Sequence, residues 1–275
     1  MTEARKYTAP ALEKGLDILE LLASRDAGLS QAEIARELGR SVSEIFRMLV
    51  VLQDRGYLAQ DPDSDRYVLT ALLFELAHRT PMLRRLTTLA GPVMQRLARS
   101  VNQSVHLAVI SDAAVLVVGQ VDSPGNNVMS VRLGARIDLW RASSGRVILA
   151  HLPPEDLDKM VARVPLPADM DETRVRAELT HIARTGHEVM DSFVMRGVVN
   201  ISAPIIDHTG HAIAALTIPH VERYHDTIGF NECRDGVIGA ANALSKSLGG
   251  GAAARVQTGV MTAPDRHGET ITPTG

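Results

Sequence analysis

The chain has 275 residues, which is enough for two domains, and its 45% hydrophobic and 22% charged residues are typical of a soluble globular protein. No stretch approaches the roughly 18 apolar residues of a membrane span, and the N-terminus lacks the apolar core of a secretory signal. A lone Cys233 excludes an internal disulfide framework. We therefore expect a cytoplasmic protein with no membrane partner. The net charge is −3, and residues 1–80 also carry −3 (10 basic against 13 acidic side chains), so charge alone does not indicate a nucleic-acid partner.

The N-terminal region predicts three helices, of which the second and third are short and adjacent. Apolar residues at every third or fourth position over 10–24 predict the first helix. The segments Ser30–Glu33 and Ser41–Glu44 are both capping boxes, in which a serine and the glutamate three positions later bond each other's backbone at a helix start. Gly39, between the two short helices, suits a left-handed turn residue, and the third helix is expected to run to about Gln53.

A hairpin and further helices are predicted after the third helix. Two short runs of alternating polarity within residues 56–70 flank the turn sequence DPDSD and predict a β-hairpin. Residues 71–100 are expected to be helical, with an interruption at Pro81 and a kink or restart at Pro92. We interpret this stretch as a linker between two domains.

The C-terminal half alternates between strand and helix patterns, which predicts an α+β domain with a mainly antiparallel sheet flanked by helices. Strands are predicted over 104–110, 114–121 and 126–134 and in the sequences GHEVMDSF, VNISAPIID and HAIAALTIP. Helices are predicted over 143–152, in PEDLDKMVARV and DETRVRAELTHIARTG, and over 226–248.

The two short helices joined at Gly39 predict a helix-turn-helix, and the hairpin after them predicts the wing of a winged helix. A helical hairpin that only packs is the alternative. In the DNA-binding interpretation, the exposed face of the third helix enters a major groove and the wing lies near phosphates. The residues expected to contact DNA are Ser30, Gln31, Ser41, Ser43, Glu44, Arg47 and Arg66. Glu44 either accepts a hydrogen bond from cytosine or only caps its helix.

Sequences from both halves of the chain resemble one family. In the first half they are PALEKGLDILELLA, GLSQAEIARELGRS and RMLVVLQDRGYLAQDPDSDRYVLT, and in the second half SVHLAV, VRLGARIDLWRASSGRVILA and GVVNISAPIIDHTGHAIAALTIP. In this order, over about residues 10–248, they resemble the IclR-type bacterial transcription regulators. The resemblance implies a winged helix, a dimerising linker helix and a C-terminal domain whose small-molecule effector controls operator binding.

We therefore expect five segments along the chain. They are a flexible N-terminus of residues 1–9, a winged helix-turn-helix domain of 10–70, linker or dimerisation helices over 71–100, an effector-binding domain of 101–249 and a disordered tail of 250–275. The expected partners are a palindromic double-stranded DNA operator, a small-molecule effector, and further copies of the chain in a dimer or a dimer of dimers. The sequence leaves open whether the regulator is an activator or a repressor.

The resemblance also implies where the effector binds, on the concave sheet near the start of the helix at 143. Carried over by position, the lining residues are Met129, Ile137, Ser143, Ser144, Asn200 and Thr217, with Asp191 or Met190 at one edge. To these we add Gly145, whose backbone N–H belongs to the same helix start, and Trp140 as a further apolar contact. Simple helix capping is an equal alternative for Ser143 and for Ser144.

The lining chemistry predicts a small organic acid, aromatic or short-chain, as the effector. Ser192 and Phe193 replace an acidic pair of the family, which removes negative charge from the rim. The Asn200 amide, which replaces a residue that is often cysteine, and the helix-start N–H groups suit a carboxylate. Arg132 and Arg141 could pair with the same carboxylate, although a solvated surface position is the favoured interpretation for both.

No cofactor and no metal are expected. The spacings of His208–His211 and of His220–Glu222–His225 are a weak zinc signal, and His106 is interpreted as a satisfied core histidine rather than a ligand contact. The sequence has no nucleophile elbow, phosphate loop or dinucleotide-binding glycine run, so an enzyme is not expected. The alternative is a small-molecule-binding enzyme or sensor module whose helical N-terminus only dimerises.

Overall fold

The structure is a computed structural model that describes residues 9–125, 129–223 and 227–251. It divides into two compact units, Met1–Arg85 and Leu86–Gly275. The predicted flexible N-terminus of residues 1–9 and the predicted tail of 250–275 lie almost entirely outside the described residues. Within those residues, no helix is both long enough and apolar enough to cross a membrane.

Three helices form most of the first unit, as predicted. They are α1 (Pro10–Ala23), α2 (Gln31–Glu37) and α3 (Val42–Asp54). Both capping boxes are present, because Ser30 and Glu33 bond each other at the start of α2 and Ser41 and Glu44 do so at the start of α3. Gly39 has a φ of 61° and provides the left-handed residue between α2 and α3, so the predicted helix-turn-helix geometry is confirmed.

A three-stranded antiparallel sheet completes this unit. Its strands are β1 (Leu29–Ser30), β2 (Leu58–Gln60) and β3 (Arg66–Leu69), with β3 in the middle. The β2–β3 hairpin is the predicted one, whereas β1 has only two residues and leaves no periodic pattern in the sequence. One core joins the helices to the sheet and contains Ile18, Leu22, Ile34, Ala35, Ile45, Leu49, Leu58 and Tyr67.

Two helices follow the hairpin, α4 (Leu72–Arg79) and α5 (Pro81–Val101). Pro81 is the first residue of α5, where its missing N–H has no intrahelical partner to lose. α5 continues through Pro92 rather than restarting there. The predicted linker of 71–100 does not separate the two units at either of its ends, because the division falls inside α5. From Leu86 onward, the apolar face of α5 is buried in the core of the second unit.

The second unit is built on a six-stranded antiparallel sheet. Its strands are β4 (Val105–Ser111), β5 (Ala114–Val121), β6 (Arg136–Asp138), β7 (Glu188–Asp191), β8 (Val198–Ile206) and β9 (Ala212–Val221), in the spatial order β6-β5-β4-β9-β8-β7. The strand predicted over 126–134 is wrong for residues 129–134, which form no strand, and residues 126–128 lie outside the described residues. β6 follows Gly134 instead, whose φ of 80° turns the chain.

Helices cover both faces of this sheet. They are α6 (Ser143–Leu149), α7 (Pro154–Arg163), α8 (Glu172–Thr185) and α9 (Phe230–Ser247), the last beginning four residues later than predicted. One face packs against α5 and α9 around Leu107 and Leu216. The other face packs against α6 and α8 around Trp140, and small side chains such as Ala108 and Ala215 line the sheet there. Alternate side chains of each strand therefore pack against α5 and α9 on one face of the sheet and against α6 and α8 on the other.

Candidate functional site

The exposed face of α3 is the first candidate site. Ile45 and Leu49 are fully buried and determine which side of α3 packs inward. Ser43 and Arg47 are exposed on the other side. In the described part of the chain the Arg47 guanidinium makes no hydrogen bond or ion pair, so its donors are available to a base edge or a phosphate.

Glu44 is bound by residues of its own unit, which confirms its role as a helix cap, while its contact with a base remains a prediction. Its carboxylate accepts hydrogen bonds from Lys14 Nζ of α1 at 2.5 Å and from the backbone N–H and hydroxyl of Ser41 at 3.1 and 2.8 Å. The bond from Lys14, followed by those from Ser41, lowers the pKa of Glu44 to about 2. Glu44 therefore caps α3 and binds α1.

The predicted contact residues at the starts of α2 and α3 have local roles in the fold. Ser30 and Ser41 accept backbone hydrogen bonds as N-caps of these helices. The Gln31 side chain donates to the carbonyl of Val42 at 3.1 Å and so joins the start of α2 to the start of α3. Their contacts with DNA remain predictions.

Arg66 bonds to other parts of the first unit while its side chain stays 38% exposed. Its guanidinium donates to the carbonyl of Gly28 at 2.9 Å and pairs with Glu33 at 3.1 Å, which joins β3 to α2. The adjacent turn DPDSD carries three acidic side chains that repel phosphates. Arg66 therefore has a role in the fold, and its contact with a phosphate remains a prediction.

The second candidate site lies on the α6 face of the six-stranded sheet. Directly paired residues of antiparallel strands point to the same side, and five polar residues are paired in one line across this sheet. From β5 to β7 they are Gln120, His106, Thr217, Ser202 and Glu188, and we call them the polar row. Polar side chains on a buried face need either protein partners or a ligand.

Three hydroxyl groups link the polar row to α6. Ser202 Oγ lies 2.8 Å from Ser143 Oγ and 2.7 Å from Thr217 Oγ1, and all three side chains are buried. Ser144, beside Ser143, is also buried, and its contact with an effector remains a prediction. Ser202 is absent from the sequence prediction, although its alternation with Asn200 along β8 is a signal that both point to one face.

Asn200 and Met190 extend the polar row by one further pair. They are direct partners on β8 and β7, two positions from Ser202 and Glu188. Asn200 is half-buried, and its amide makes no hydrogen bond within the described residues. Asp191 alternates with Met190 and points to the opposite face, so of these two predicted residues only Met190 shares a face with Asn200. An effector contact of Met190 remains a prediction.

Two other predicted effector contacts, Trp140 and Gly145, are packed tightly in the second unit, and their contacts with an effector remain predictions. Trp140 is 1% exposed, and its indole N–H donates to the carbonyl of Val164 at 3.0 Å. Gly145 packs so closely that an added Cβ would lie 2.2 Å from the carbonyl oxygen of Leu139. The absence of a side chain at Gly145 is therefore explained by packing.

Gln120 holds the irregular segment that follows β5. Its side-chain amide donates to Ser130 Oγ at 3.1 Å and accepts from the backbone N–H of Leu133 at 3.0 Å. Met129 precedes Ser130 in this segment and is half-buried. Ile137, on β6, is partly buried against the α6 core. Effector contacts of Met129 and Ile137 remain predictions.

A cleft of about 580 Å³ opens at the β7 end of the polar row. Its lining residues are Arg141, Arg146, Asp169, Met170, Asp171, Arg174, Val175, Glu178, His181, Glu188 and Met190. Arg146 is buried and donates to Glu178 at 2.6 Å, and Arg141 pairs with Asp169. Arg141 is therefore engaged by a carboxylate of the protein, whereas Arg132 is exposed as expected.

Glu188 brings a carboxyl group to both the polar row and the cleft. It is half-buried and makes no hydrogen bond in the described part of the chain. Burial, the largest cause, raises the pKa of Glu188, while the nearby Arg146 lowers it and Glu178 raises it. The replacement of the family's acidic pair therefore does not leave this region without a carboxyl group.

His106 is buried in the polar row but is not the satisfied core histidine that the sequence predicts. It is 3% exposed, and its Nδ1 has no hydrogen-bond partner. Burial lowers the pKa of His106 to about 4, so the imidazole is neutral at pH 7.

Among the described residues, no group of three or more His, Cys, Asp or Glu side chains could hold a metal ion, and His225 of one weak zinc pattern lies outside them.

Two family models match the chain, one in each half. The model of the IclR helix-turn-helix domain matches residues 11–62. The model of the bacterial transcriptional regulator IclR C-terminal domain matches residues 82–246, which contain the polar row and the cleft. The two models together cover more than half of the chain, in the order that the sequence predicts.

Individual relatives agree with this match. The chain is 29% identical over 242 residues to the HTH-type transcriptional regulator BhcR of Paracoccus denitrificans, covering 86% of each chain. The crystal structure of the Thermotoga maritima IclR is 26% identical, with a TM-score of 0.69, and the match covers 87% of this chain and 99% of that one. An IclR homologue of Microbacterium hydrocarbonoxydans, complexed with 4-hydroxybenzoate, is 24% identical with a TM-score of 0.73 and agrees in fold over 86% of this chain and 98% of its own. The chain therefore belongs to the IclR family of bacterial transcriptional regulators, with a DNA-binding helix-turn-helix domain followed by an effector-binding domain.

Proposed function

We propose that this regulator binds its operator through the exposed face of α3 and changes that binding when a small organic acid occupies the region of the polar row. The observation that carries the proposal is the buried hydroxyl chain of Ser143, Ser202 and Thr217 beside the half-buried amide of Asn200. Burying polar groups on a sheet face is costly, and a partly satisfied network there is a natural place for a polar ligand.

The DNA contacts are assigned to the first two turns of α3. Ser43 and Arg47 are exposed there, and N-terminal residues of a recognition helix are those that contact base edges. The charge of −3 over residues 1–80 gives a single domain little attraction to phosphates. Two domains on a palindromic operator would supply the affinity that one lacks.

The effector assignment follows from the donors near the polar row. The Asn200 amide and the neighbouring hydroxyls donate to a carboxylate, and Met190 offers apolar contact to the remainder of the molecule. Because Glu188 carries negative charge when ionised, an acid binds more tightly when Glu188 is protonated. The Microbacterium homologue was solved with 4-hydroxybenzoate, an aromatic acid of this class.

Assembly of two copies is assigned to the helices after the wing. Phe74, Leu76 and Met82 are 65%, 36% and 61% exposed, respectively, on α4 and the first turn of α5. From Leu86 onward α5 is buried against its own sheet and offers no apolar face to a second copy. The exposed apolar side chains are therefore the candidates for dimer contact.

Footprinting of the full chain on the DNA upstream of its own gene tests the proposal, with and without 4-hydroxybenzoate and a panel of short-chain hydroxy and oxo acids. We expect a protected palindromic region whose protection changes with at least one acid and with none of the corresponding amides. The variant Asn200→Ala should keep the footprint and lose the response. The absence of any footprint would contradict the DNA assignment, and a response to the amides alone would contradict the acid.

A further inference from the structure

The exposed face of α3 is apolar as well as basic. Val42, Phe46 and Val50 are 51%, 51% and 38% exposed, although such side chains are usually buried. They are spaced by four residues, so each lies about 40° around the helix axis from the last and together they form one stripe. The first two turns of α3 thus expose two apolar side chains beside Ser43 and Arg47.

Contacts within the first unit determine which way this stripe points. Ile45 and Leu49 are buried in the core, and Glu44 is bound by Lys14 of α1 at 2.5 Å. These three residues mark the inner side of α3 along its first two turns. Phe46 and Arg47 lie on the outer side, where a recognition helix faces the bases.

The major groove offers an apolar partner to such a side chain. Thymine displays its C5-methyl group there, and phenylalanine is among the side chains that contact it, whereas arginine pairs with guanine. We propose that Phe46, supported by Val42, contacts thymine methyl groups in the operator and contributes base specificity separate from that of Arg47. This inference rests on the proposed placement of α3 in the groove.

The charges of the first unit favour apolar contacts between α3 and the bases over binding that depends mainly on phosphate contacts. Residues 1–80 carry −3, the wing turn DPDSD is acidic, and Arg66 is engaged by Glu33. With few cations available for phosphates, contacts that do not depend on charge must supply more of the affinity. Arg47, next to Phe46, makes a second copy of the chain a poor fit, because burying that cation without a partner is costly.

Replacement of thymine by deoxyuridine tests this contact, since it removes only the methyl group and keeps the base pair. The binding site is first selected by the full-length protein from random duplex DNA, and each thymine is then replaced singly while the dissociation constant is measured by fluorescence anisotropy. We expect wild type to lose about three- to fivefold in affinity at one or two thymines per half-site. That loss of affinity should be the same at low and high salt, whereas the loss of affinity caused by Arg47→Ala should depend on the salt concentration.

The variants make the assignment specific to one side chain. Phe46→Ala should bind thymine and deoxyuridine sites equally, and Phe46→Leu should keep part of the difference. The control Val51→Ala removes a side chain of 52% exposure that lies about 140° around the helix from Phe46, and it should keep the full difference.

Four results would overturn the inference. A specific site that is indifferent to every thymine replacement would overturn the contact while leaving the DNA assignment intact. A difference that persists in Phe46→Ala would assign the contact to another residue. Sedimentation of Phe46→Ala as a smaller species than wild type without DNA would show that the stripe covers a second copy instead. Failure to select any site would overturn the proposed function as well.

Discussion

Lys14 and Glu44 form an ion pair of 2.5 Å that joins α1 to the first turn of α3. Glu44 also caps α3 through Ser41, so one carboxylate both starts the helix and holds it against α1. The orientation of the exposed face of α3 therefore depends on a contact between residues 30 positions apart.

This pair predicts a pH-dependent stability of the full chain. A carboxylate whose pKa is lowered on folding stabilises the protein above its ordinary value of 4.5, and the contribution is lost as the pH falls toward the folded value of about 2. Glu44→Gln should lower the melting temperature at pH 7, and its difference from wild type should shrink as the pH falls below 4.5. Glu20→Gln, exposed on α1, is the control. A difference that stays constant down to the acid end of the scan would contradict this role.

Arg47 and Arg66 are expected to differ in what their removal changes. Arg47→Ala should weaken operator binding by roughly 1–3 kcal/mol with an unchanged melting temperature, because its guanidinium is exposed and unpaired in the described chain. Arg66→Ala should lower the stability by about 1 kcal/mol through the lost bond to the Gly28 carbonyl. It should weaken operator binding less than Arg47→Ala does, because the Arg66 guanidinium is already engaged by Glu33. Arg55→Ala, exposed at the end of α3, controls for charge. Equal binding losses for Arg47→Ala and Arg55→Ala would argue against a specific contact.

Asn200 is expected to act on the effector rather than on stability. Its amide makes no hydrogen bond within the described residues, so Asn200→Ala should lower the affinity for the organic acid by about 0.5–1.5 kcal/mol in calorimetry and barely move the melting temperature. Ser202→Ala breaks the hydroxyl chain to Ser143 and Thr217 and should lower the melting temperature. If Asn200→Ala lowers the melting temperature and leaves the affinity of the folded fraction alone, Asn200 is structural.

Glu188 is expected to oppose an anionic effector at high pH. Burial raises its pKa, so the carboxyl is protonated over a wider pH range than usual, and the affinity for an acid should fall as the pH rises and Glu188 ionises. Glu188→Gln should remove this pH dependence and raise the affinity at pH 8 by a factor of about five, on the order of 1 kcal/mol. Titration calorimetry from pH 5 to pH 8 measures both, with Glu172→Gln on α8 as the control. An unchanged slope in Glu188→Gln would place its carboxyl away from the ligand.

Assembly is expected to depend on the exposed apolar residues after the wing. Phe74→Glu and Met82→Glu together should convert a dimer into a monomer in sedimentation velocity at micromolar concentration and weaken operator binding. Leu133→Glu, at an equally exposed position of the second unit, should leave the dimer intact. Full operator affinity of a monomeric double variant would contradict the need for two copies.

The helix starts of the first unit could be predicted from the sequence because the residues that determine them are close together in the chain. Each capping box and the turn at Gly39 involve residues at most five positions apart, and the apolar period of α3 specifies its buried side. The strand order of the second unit follows less directly, since β4 pairs with β9 across more than half of the unit's sequence.

The sequence by itself determined the helix-turn-helix, the hairpin and the antiparallel sheet, because short-range periodicity and capping specify them. Ser143 and Thr217 were named through the family resemblance, which matches them by position in the chain. Only the tertiary structure decided that Arg66 pairs with Glu33, because that partner lies 33 residues away. It likewise decided that Met190 rather than Asp191 shares a face with Asn200, because strand register, which depends on remote pairing, sets the direction of every side chain in the sheet.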